Sequence, residues 1–188
     1  MLTIQLTPFP ELQTARFTLR ELRDTDAPTL LAHRSDTQIM RYLDREPETT
    51  LEQIAKFLEQ ARQDLAANQG VLWGIAQPGV AKLLGTVILW HINPTHHRAE
   101  IGYWLHSDYW RQGVMSEVLA AVLDFGFRKL RLHSLEANVN PDNTASRKLL
   151  EKHGFVQEAH FRQNYFFRGQ FLDSIIYSLL TPGTAKGE

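Results

Sequence analysis

The sequence predicts one α/β domain in which a mixed, mostly antiparallel, twisted sheet of about seven strands is flanked by about four helices. Three observations lead to this fold class. The 188 residues suffice for one domain with its own core, but not for two comfortable ones. Short β-rich runs separated by turn residues fill the middle of the chain, and strand and helix patterns alternate in its second half. We therefore expect a single domain over residues 1–188, ending in a frayed tail at 181–188.

The first half of the chain predicts one strand, two helices and then three strands. Alternating apolar residues in RFTLREL indicate the first strand, and Ala27-Pro28 after two aspartates indicates a helix start. The second helix begins at Thr50, which forms a capping-box pattern with Gln53, and ends near Asn68. Pro-Gly and Asn-Pro turns then separate three predicted strands, at 71–76, 83–89 and 98–105.

The second half predicts helices alternating with strands. A helix over 114–129 is apolar nearly all round, so we expect it to be buried. A strand at 132–139 leads to a helix that Asn143 caps and Gly154 ends. Two further strands, at 155–161 and 171–180, complete the order. Consecutive antiparallel strands followed by strand–helix–strand units predict the mixed sheet.

Composition excludes several classes of function. Because the chain has no cysteine, disulfides, thiolate metal sites and cysteine nucleophiles are impossible. A net charge of −1 gives no reason to expect direct nucleic-acid binding. There is no signal-peptide pattern and no run of about eighteen apolar residues, so we expect a cytoplasmic protein without membrane contact. Four histidines cluster in sequence without regular ligand spacing, so we expect no metal. They are His91, His96, His97 and His106.

The motif LHSDYWRQGVMSEVL places a glycine-bearing turn between a strand end and a buried helix. The N-terminus of a helix offers unpaired backbone N–H groups and the positive end of the helix dipole, which suits a pair of phosphates. Gly113 would let the backbone approach such a ligand closely. An ordinary loop is the alternative for one glycine before a helix. The chain lacks Walker and dinucleotide-binding glycine patterns, which argues against nucleotide hydrolysis and dinucleotide binding.

A second motif, NVNPDNTASRKLLEKHGF, combines a strand, a turn and a short helix. Asn143 needs no role beyond capping that helix, and Ser146 in its first turn would be unremarkable by itself. The two motifs together are more informative. With AEIGYWL before them, these blocks resemble in order and spacing the GNAT superfamily of acyl-CoA-dependent N-acetyltransferases, over about 16–180.

The resemblance is greatest to the ribosomal-protein N-terminal acetyltransferases that act on alanine or serine termini. It implies a GNAT-like fold, acetyl-CoA as co-substrate, and an amine acceptor such as a protein N-terminus. Two alternatives stay open: a small-molecule amine (polyamine, amino acid or antibiotic), and a catalytically weak CoA-binding sensor. Either a monomer or a homodimer is compatible with the sequence. The residues that the resemblance assigns to the cofactor are Leu105, Trp110, Arg111, Gln112, Gly113, Val114, Met115, Ser116, Asn143 and Ser146.

Acetyl transfer to an amine needs a neutral amine, stabilisation of an oxyanion and a proton for the departing sulfur. Glu100 is the candidate base because a carboxylate is unusual on a strand that should be central; a partner for Arg98 is its alternative role. A backbone N–H near the end of that strand is the oxyanion donor that the resemblance implies. Many superfamily members carry a tyrosine as proton donor where this chain has Leu150. We therefore expect Ser146 to serve as donor, with Tyr165, in the polar connection between the last two strands, as runner-up.

The segment RSDTQIMRYLDREPET is the expected wall of the acceptor groove. It carries Met40, Tyr42 and Asp44, of which Met40 and Tyr42 fit a place in the core equally well. Asp173, within an otherwise apolar strand, is a further candidate for contact with the acceptor amine.

Overall fold

The computed structural model describes residues 1–183, and eight strands in that range form one sheet. The strands are β1 (Leu12–Gln13), β2 (Thr18–Glu21), β3 (Val71–Ala76), β4 (Leu83–Asn93), β5 (Arg98–Leu105), β6 (Ser134–Val139), β7 (Val156–Phe167) and β8 (Gln170–Leu180). Their order across the sheet is β1-β2-β3-β4-β5-β6-β8-β7. Every neighbouring pair is antiparallel except β5 and β6, which run parallel. The predicted mixed, mostly antiparallel sheet is confirmed, with the two-residue β1 as an additional strand.

Five α-helices accompany the sheet in the described residues. They are α1 (Ala27–Ser35), α2 (Thr37–Met40), α3 (Leu51–Ala66), α4 (Val114–Asp124) and α5 (Thr144–Lys152). The sequence predicts α1, α3, α4 and α5 but not the single-turn α2. The predicted helix over 114–129 changes character at Asp124, because a π-helical segment, Phe125–Lys129, continues it. Within residues 1–183, none of the helices is both long and apolar enough to cross a membrane.

Local signals set the ends of the helices as expected. The backbone N–H of Gln53 donates to the hydroxyl of Thr50 (3.3 Å), and the amide oxygen of Gln53 accepts from Thr50 N (3.0 Å), which confirms the capping box. Asn143 caps α5 by accepting from the backbone N–H of Ser146 at 3.1 Å. After α5, Gly154 takes a positive φ of 85°, a conformation that glycine adopts without strain.

The last hairpin is longer than the sequence predicts. Arg168 and Gly169 form its turn, both with positive φ (47° and 79°), as in the two-residue turns that match the twist of paired strands. Residues 162–167 therefore continue β7, and the expectation that Tyr165 lies in a polar connection is wrong. The reason is exposure: β7 is an edge strand whose residues are nearly all solvent-exposed, so it lacks the alternating burial that marks a strand. Of the predicted tail, Thr181 donates its backbone N–H to His133 O at 2.8 Å, and 184–188 lie outside the described residues.

Helices cover both faces of the sheet. On one face, α4 and α5 pack through Val118, Leu119 and Leu150, all fully buried. On the other, α1 and α3 pack through Leu30 and Ile54 against β3 and β4. Burial of one such side chain contributes about 1.5–3 kcal/mol, so these layers hold the strands in place.

The parallel pair at the centre of the sheet separates part of the way along. β5 and β6 pair at three positions, ending at Glu100 opposite Glu136, although β5 continues to Leu105 and β6 to Val139. Beyond Glu100 the two strands leave a wedge between them. Backbone groups that a ladder would otherwise use face this wedge and are available to a ligand.

Candidate active site

A cleft of about 540 Å³ opens at the wedge between β5 and β6. Its lining includes residues from both faces of β5: Gly102 and Trp104 from the face beneath α1 and α3, and Ile101 and Tyr103 from the face beneath α4 and α5. The cleft therefore passes through the sheet. Two ligands that approach from opposite faces would meet at the wedge, which is the geometry that a group transfer between them requires.

The predicted phosphate-binding turn stands at the N-terminus of α4. Gly113 is the N-cap residue with φ 74° and ψ 4°, and Arg111 also has a positive φ, of 59°. In the part of the chain that the structure describes, no side chain caps this helix end, so its first N–H groups are available to an anion. The side chains of Val114 and Met115 are buried in the core, so only their backbone can face a ligand.

Two side chains of the predicted cofactor set maintain the turn itself. The indole N–H of Trp110 donates to Leu105 O at 2.7 Å, and the amide of Gln112 donates to Asp108 O at 2.6 Å. The first bond ties the turn to the end of β5, next to the cleft. Ser116, in the first turn of α4, lies 3.0 Å from His153 Nε2 at the end of α5.

Arg16 is a residue of this region that the sequence does not reveal. Its Nε donates to Glu117 Oε2 at 2.7 Å, and its Nη1 donates to Gln112 O at 3.2 Å. Glu117 also accepts from the hydroxyl of Thr14 at 2.6 Å. These contacts join the N-terminal segment to the start of α4 across about a hundred residues of sequence, which is why no local pattern signals them.

Ser146 faces the cleft and shares a hydrogen bond with Tyr103, which sequence reasoning missed. The two hydroxyl oxygens are 2.8 Å apart. Burial raises the pKa of Tyr103 to about 12, so its phenol stays protonated near neutral pH. The signal was the place of Tyr103 in AEIGYWL, where alternation gives it the same face as Ile101. Leu150 is fully buried in the core and presents no polar group.

Glu100 lines the cleft at the point where the strands diverge. Burial raises the pKa of its carboxyl group, and a hydrogen bond from His91, with Nδ1 3.1 Å from Oε2, partly opposes that rise. Arg98, the partner that the sequence allowed for Glu100, pairs with Glu136 instead. Glu100 is thus a half-buried carboxylate next to an opening in the sheet, with a histidine as its partner.

The loop after α2 closes one side of the cleft. Tyr165 in β7 donates its hydroxyl to Asp44 O at 2.9 Å, and the Asp44 carboxylate accepts from Asn140 at 3.3 Å. Asp173 also lines the cleft, and its carboxylate accepts from Gln163 N at 2.8 Å. Tyr165 therefore belongs to a different hydrogen-bond network from Ser146, although both side chains line the same cleft.

Comparisons with known proteins agree with this geometry. The family profile described as "Acetyltransferase (GNAT) domain" matches residues 16–156. The chain is 35% identical over 174 residues to the "Uncharacterized N-acetyltransferase YoaA" of Bacillus subtilis (strain 168), covering 93% of this chain and 98% of that protein. It is 26% identical to the "[Ribosomal protein uS5]-alanine N-acetyltransferase" of Escherichia coli (strain K12), covering 61% and 60%.

Among solved structures, the spermidine N-acetyltransferase from Vibrio cholerae in complex with CoA and spermine is similar with a TM-score of 0.78. It is 25% identical in sequence, and the match covers 88% of this chain and 95% of that one.

Proposed function

This chain belongs to the GNAT acetyltransferase family and is an N-acetyltransferase; from this premise we propose that its acceptor is the N-terminal α-amine of a protein, such as a ribosomal protein. The observation that carries the proposal is the charge of the acceptor side. Two arginines, Arg34 and Arg45, line the cleft together with its carboxylates. The lining also holds three carboxylates, Asp44, Glu100 and Asp173, and this mixed charge accommodates a peptide, whose charge is also mixed.

Acetyl-CoA is the donor for which this site is suited, and it supplies an activated acetyl thioester. On the face of α4 and α5, the free N–H groups after Gly113 would hold its pyrophosphate, and the wedge would admit its pantetheine arm. The side chains of Asn143 and Ser146 line the wedge on that face. The site's backbone donors and its opening through the sheet therefore fit the group that the family uses.

Glu100 acts as the general base in the proposed mechanism. An N-terminal amine has a reference pKa of about 7.7–8.0, so a modest base or a water chain can remove its proton near neutral pH. The raised pKa of Glu100 brings this carboxylate closer to that task. The amine nitrogen bonds to the acetyl carbon, and its proton passes to Glu100.

Backbone and hydroxyl groups complete the transfer. His106 N donates to Leu84 O of β4 at 2.9 Å, so the preceding N–H, that of Leu105, points to the wedge and can stabilise the oxyanion. When the carbon–sulfur bond breaks, Ser146 gives a proton to the sulfur and regains one from Tyr103 or water. Tyr165 is the second candidate donor.

An acceptor screen tests the proposal. The protein is incubated with acetyl-CoA and with peptides that begin with Ala or Ser, with polyamines, with amino acids and with aminoglycosides, and mass spectrometry locates the modified amine. Acetylation of peptide α-amines supports the proposal, and acetylation of small amines alone contradicts it. CoA binding without transfer to any acceptor would instead indicate a sensor.

A small-molecule amine is the second candidate acceptor, because the similar spermidine N-acetyltransferase structure has comparable strands and helices. The same screen separates the two candidates. We further propose that the protein acts in the cytoplasm, where nascent and ribosomal proteins are accessible.

A further inference from the structure

Two arginines share one carboxylate at the end of the cleft next to α1 and α3. Arg34 of α1 donates through Nη2 to Glu48 Oε1, and its guanidinium carbon lies 3.9 Å from the centre of the Phe57 ring. Arg45 Nη1 lies 3.9 Å from the same Glu48 oxygen, at the outer limit for an ion pair. The side chain of Arg34 is 6% exposed and that of Arg45 is 38% exposed, so Arg34 forms the base of this end and Arg45 remains accessible to a ligand.

The positive charges of Arg34 and Arg45 exceed the negative charge of the one carboxylate that they contact, Glu48. Two guanidinium groups face the single carboxylate of Glu48, and the Nε atoms of both arginines, like Oε2 of Glu48, are buried without a hydrogen-bond partner among residues 1–183. The nearby Asp44 is engaged by Asn140, and Asp173 is engaged by the β7–β8 hairpin. Burial lowers the pKa of Arg45, and the charge of Arg34 lowers it further, so an added anion would relieve an existing repulsion.

We propose that Arg45, backed by Arg34, binds a carboxylate of the acceptor molecule, so that the enzyme prefers an amine with an acidic group a few bonds away. The inference rests on the proposed function and names its substrate class. Guanidinium groups match carboxylates in shape and charge, and a charge-assisted bond at a partly buried site is stronger than one on the surface. The carboxylate has two possible sources: an Asp or Glu side chain near a peptide N-terminus, or the α-carboxylate of a free amino acid.

Paired acceptors separate these sources. One pair consists of two peptides that begin Ala-Glu and Ala-Gln and are otherwise identical; the other consists of alanine and alaninamide. If the carboxylate comes from a peptide side chain, we expect kcat/KM to be about tenfold higher for the Glu peptide. In Arg45→Gln this ratio falls to about one, and Arg45→Lys keeps part of it, because the charge remains without the planar fork.

Arg41→Gln is the matched control. Arg41 is an exposed arginine of the same loop, so its replacement removes the same charge and should leave the Glu-to-Gln ratio unchanged. Equal rates for both peptides in the parent protein would overturn the carboxylate site and leave N-terminal acetylation standing. A preference for alanine over alaninamide, with no peptide acetylated, supports the site and contradicts the proposed function. Calorimetric titration with the N-acetylated product peptides tests the site without turnover, and equal Kd values would overturn it.

Discussion

The raised pKa of the Glu100 carboxyl group reflects its position at the point where β5 and β6 separate. Glu136, opposite Glu100 at the last paired position, forms an ion pair with Arg98, whereas Glu100 lines the cleft. At the edge of the wedge it loses water on one side, and burial raises its pKa. His91 Nδ1 lies 3.1 Å from Glu100 Oε2, and this hydrogen bond partly opposes the rise in pKa. A carboxylate so placed can exchange a proton with an amine in the cleft.

Glu100→Gln should lower turnover more at pH 7 than at pH 9. At the higher pH the acceptor amine is already neutral, so a base is no longer needed; at pH 7 the expected loss is about tenfold or more. The measurement is the pH profile of kcat/KM with a peptide acceptor. Glu59→Gln, which neutralises an exposed carboxylate of α3 outside the cleft lining, should leave the profile unchanged. An identical profile for Glu100→Gln would remove this residue from the mechanism.

Ser146 and Tyr103 should act as one unit. Their oxygens are 2.8 Å apart, so loss of either hydroxyl would interrupt the proton path that we propose. We expect Ser146→Ala and Tyr103→Phe each to lower kcat, with the KM for acetyl-CoA nearly unchanged. The double variant should be little worse than the more impaired single variant, since effects within one network are not additive. Strictly additive losses would show that the two hydroxyls work independently, and a change confined to KM would make Ser146 a binding group.

At the scale of elements, the sequence predicts the features that depend on residues close together in the chain. The Thr50 capping box, the Asn143 cap and the Gly154 helix end each involve residues at most a few positions apart, and all were predictable. The Tyr103–Ser146 and Arg16–Glu117 contacts join residues 43 and 101 positions apart and were not. The β7 edge strand escaped prediction because its exposed residues carry no burial pattern. The turn before α4 is an intermediate case. Gly113 predicts the turn, but no local pattern predicts its contact with Arg16.

Gly113→Ala should weaken the binding of acetyl-CoA and lower stability slightly. An alanine at φ 74° costs about 1–2 kcal/mol. The nearest atom to the added Cβ would be Arg16 Nη2 at 3.5 Å, which is ordinary contact, so strain comes from the backbone alone. Gly79→Ala is the matched control, because Gly79 has φ 73° and open space around it. Both variants should lose similar unfolding free energy in urea, and only Gly113→Ala should raise the KM for acetyl-CoA. Equal KM values in both would argue against this turn as the phosphate site.

At the scale of the whole molecule, one break in a continuous sheet connects two otherwise separate layers. The turn before α4 and the Ser146 hydroxyl lie on the α4–α5 face of the sheet. Arg34 and the loop after α2 lie with α1 and α3 on the other face. The α1–α3 layer also buries a histidine: His33 of α1 is 6% exposed, and its ring lies 4.8 Å from the Trp104 ring, with Nδ1 unpartnered among residues 1–183. Stability of the whole domain therefore depends on keeping His33 neutral.

This buried histidine predicts a loss of stability in acid. Burial, with His106 nearby, lowers the pKa of His33 from 6.5 to about 4. The unfolded chain therefore binds a proton before the folded one does, and stability present above pH 6.5 is lost as pH falls through that range. Between pH 7 and pH 5 the contribution of His33 amounts to about 2 kcal/mol. In His33→Phe, whose ring can still pack on Trp104, the fall in unfolding free energy between these two pH values should be smaller by about that amount, measured by urea denaturation at each pH. The same substitution at exposed His96 should leave the fall unchanged. An equal fall in the parent and in His33→Phe would mean that other groups control the acid sensitivity, and that His33 can be charged inside the folded domain.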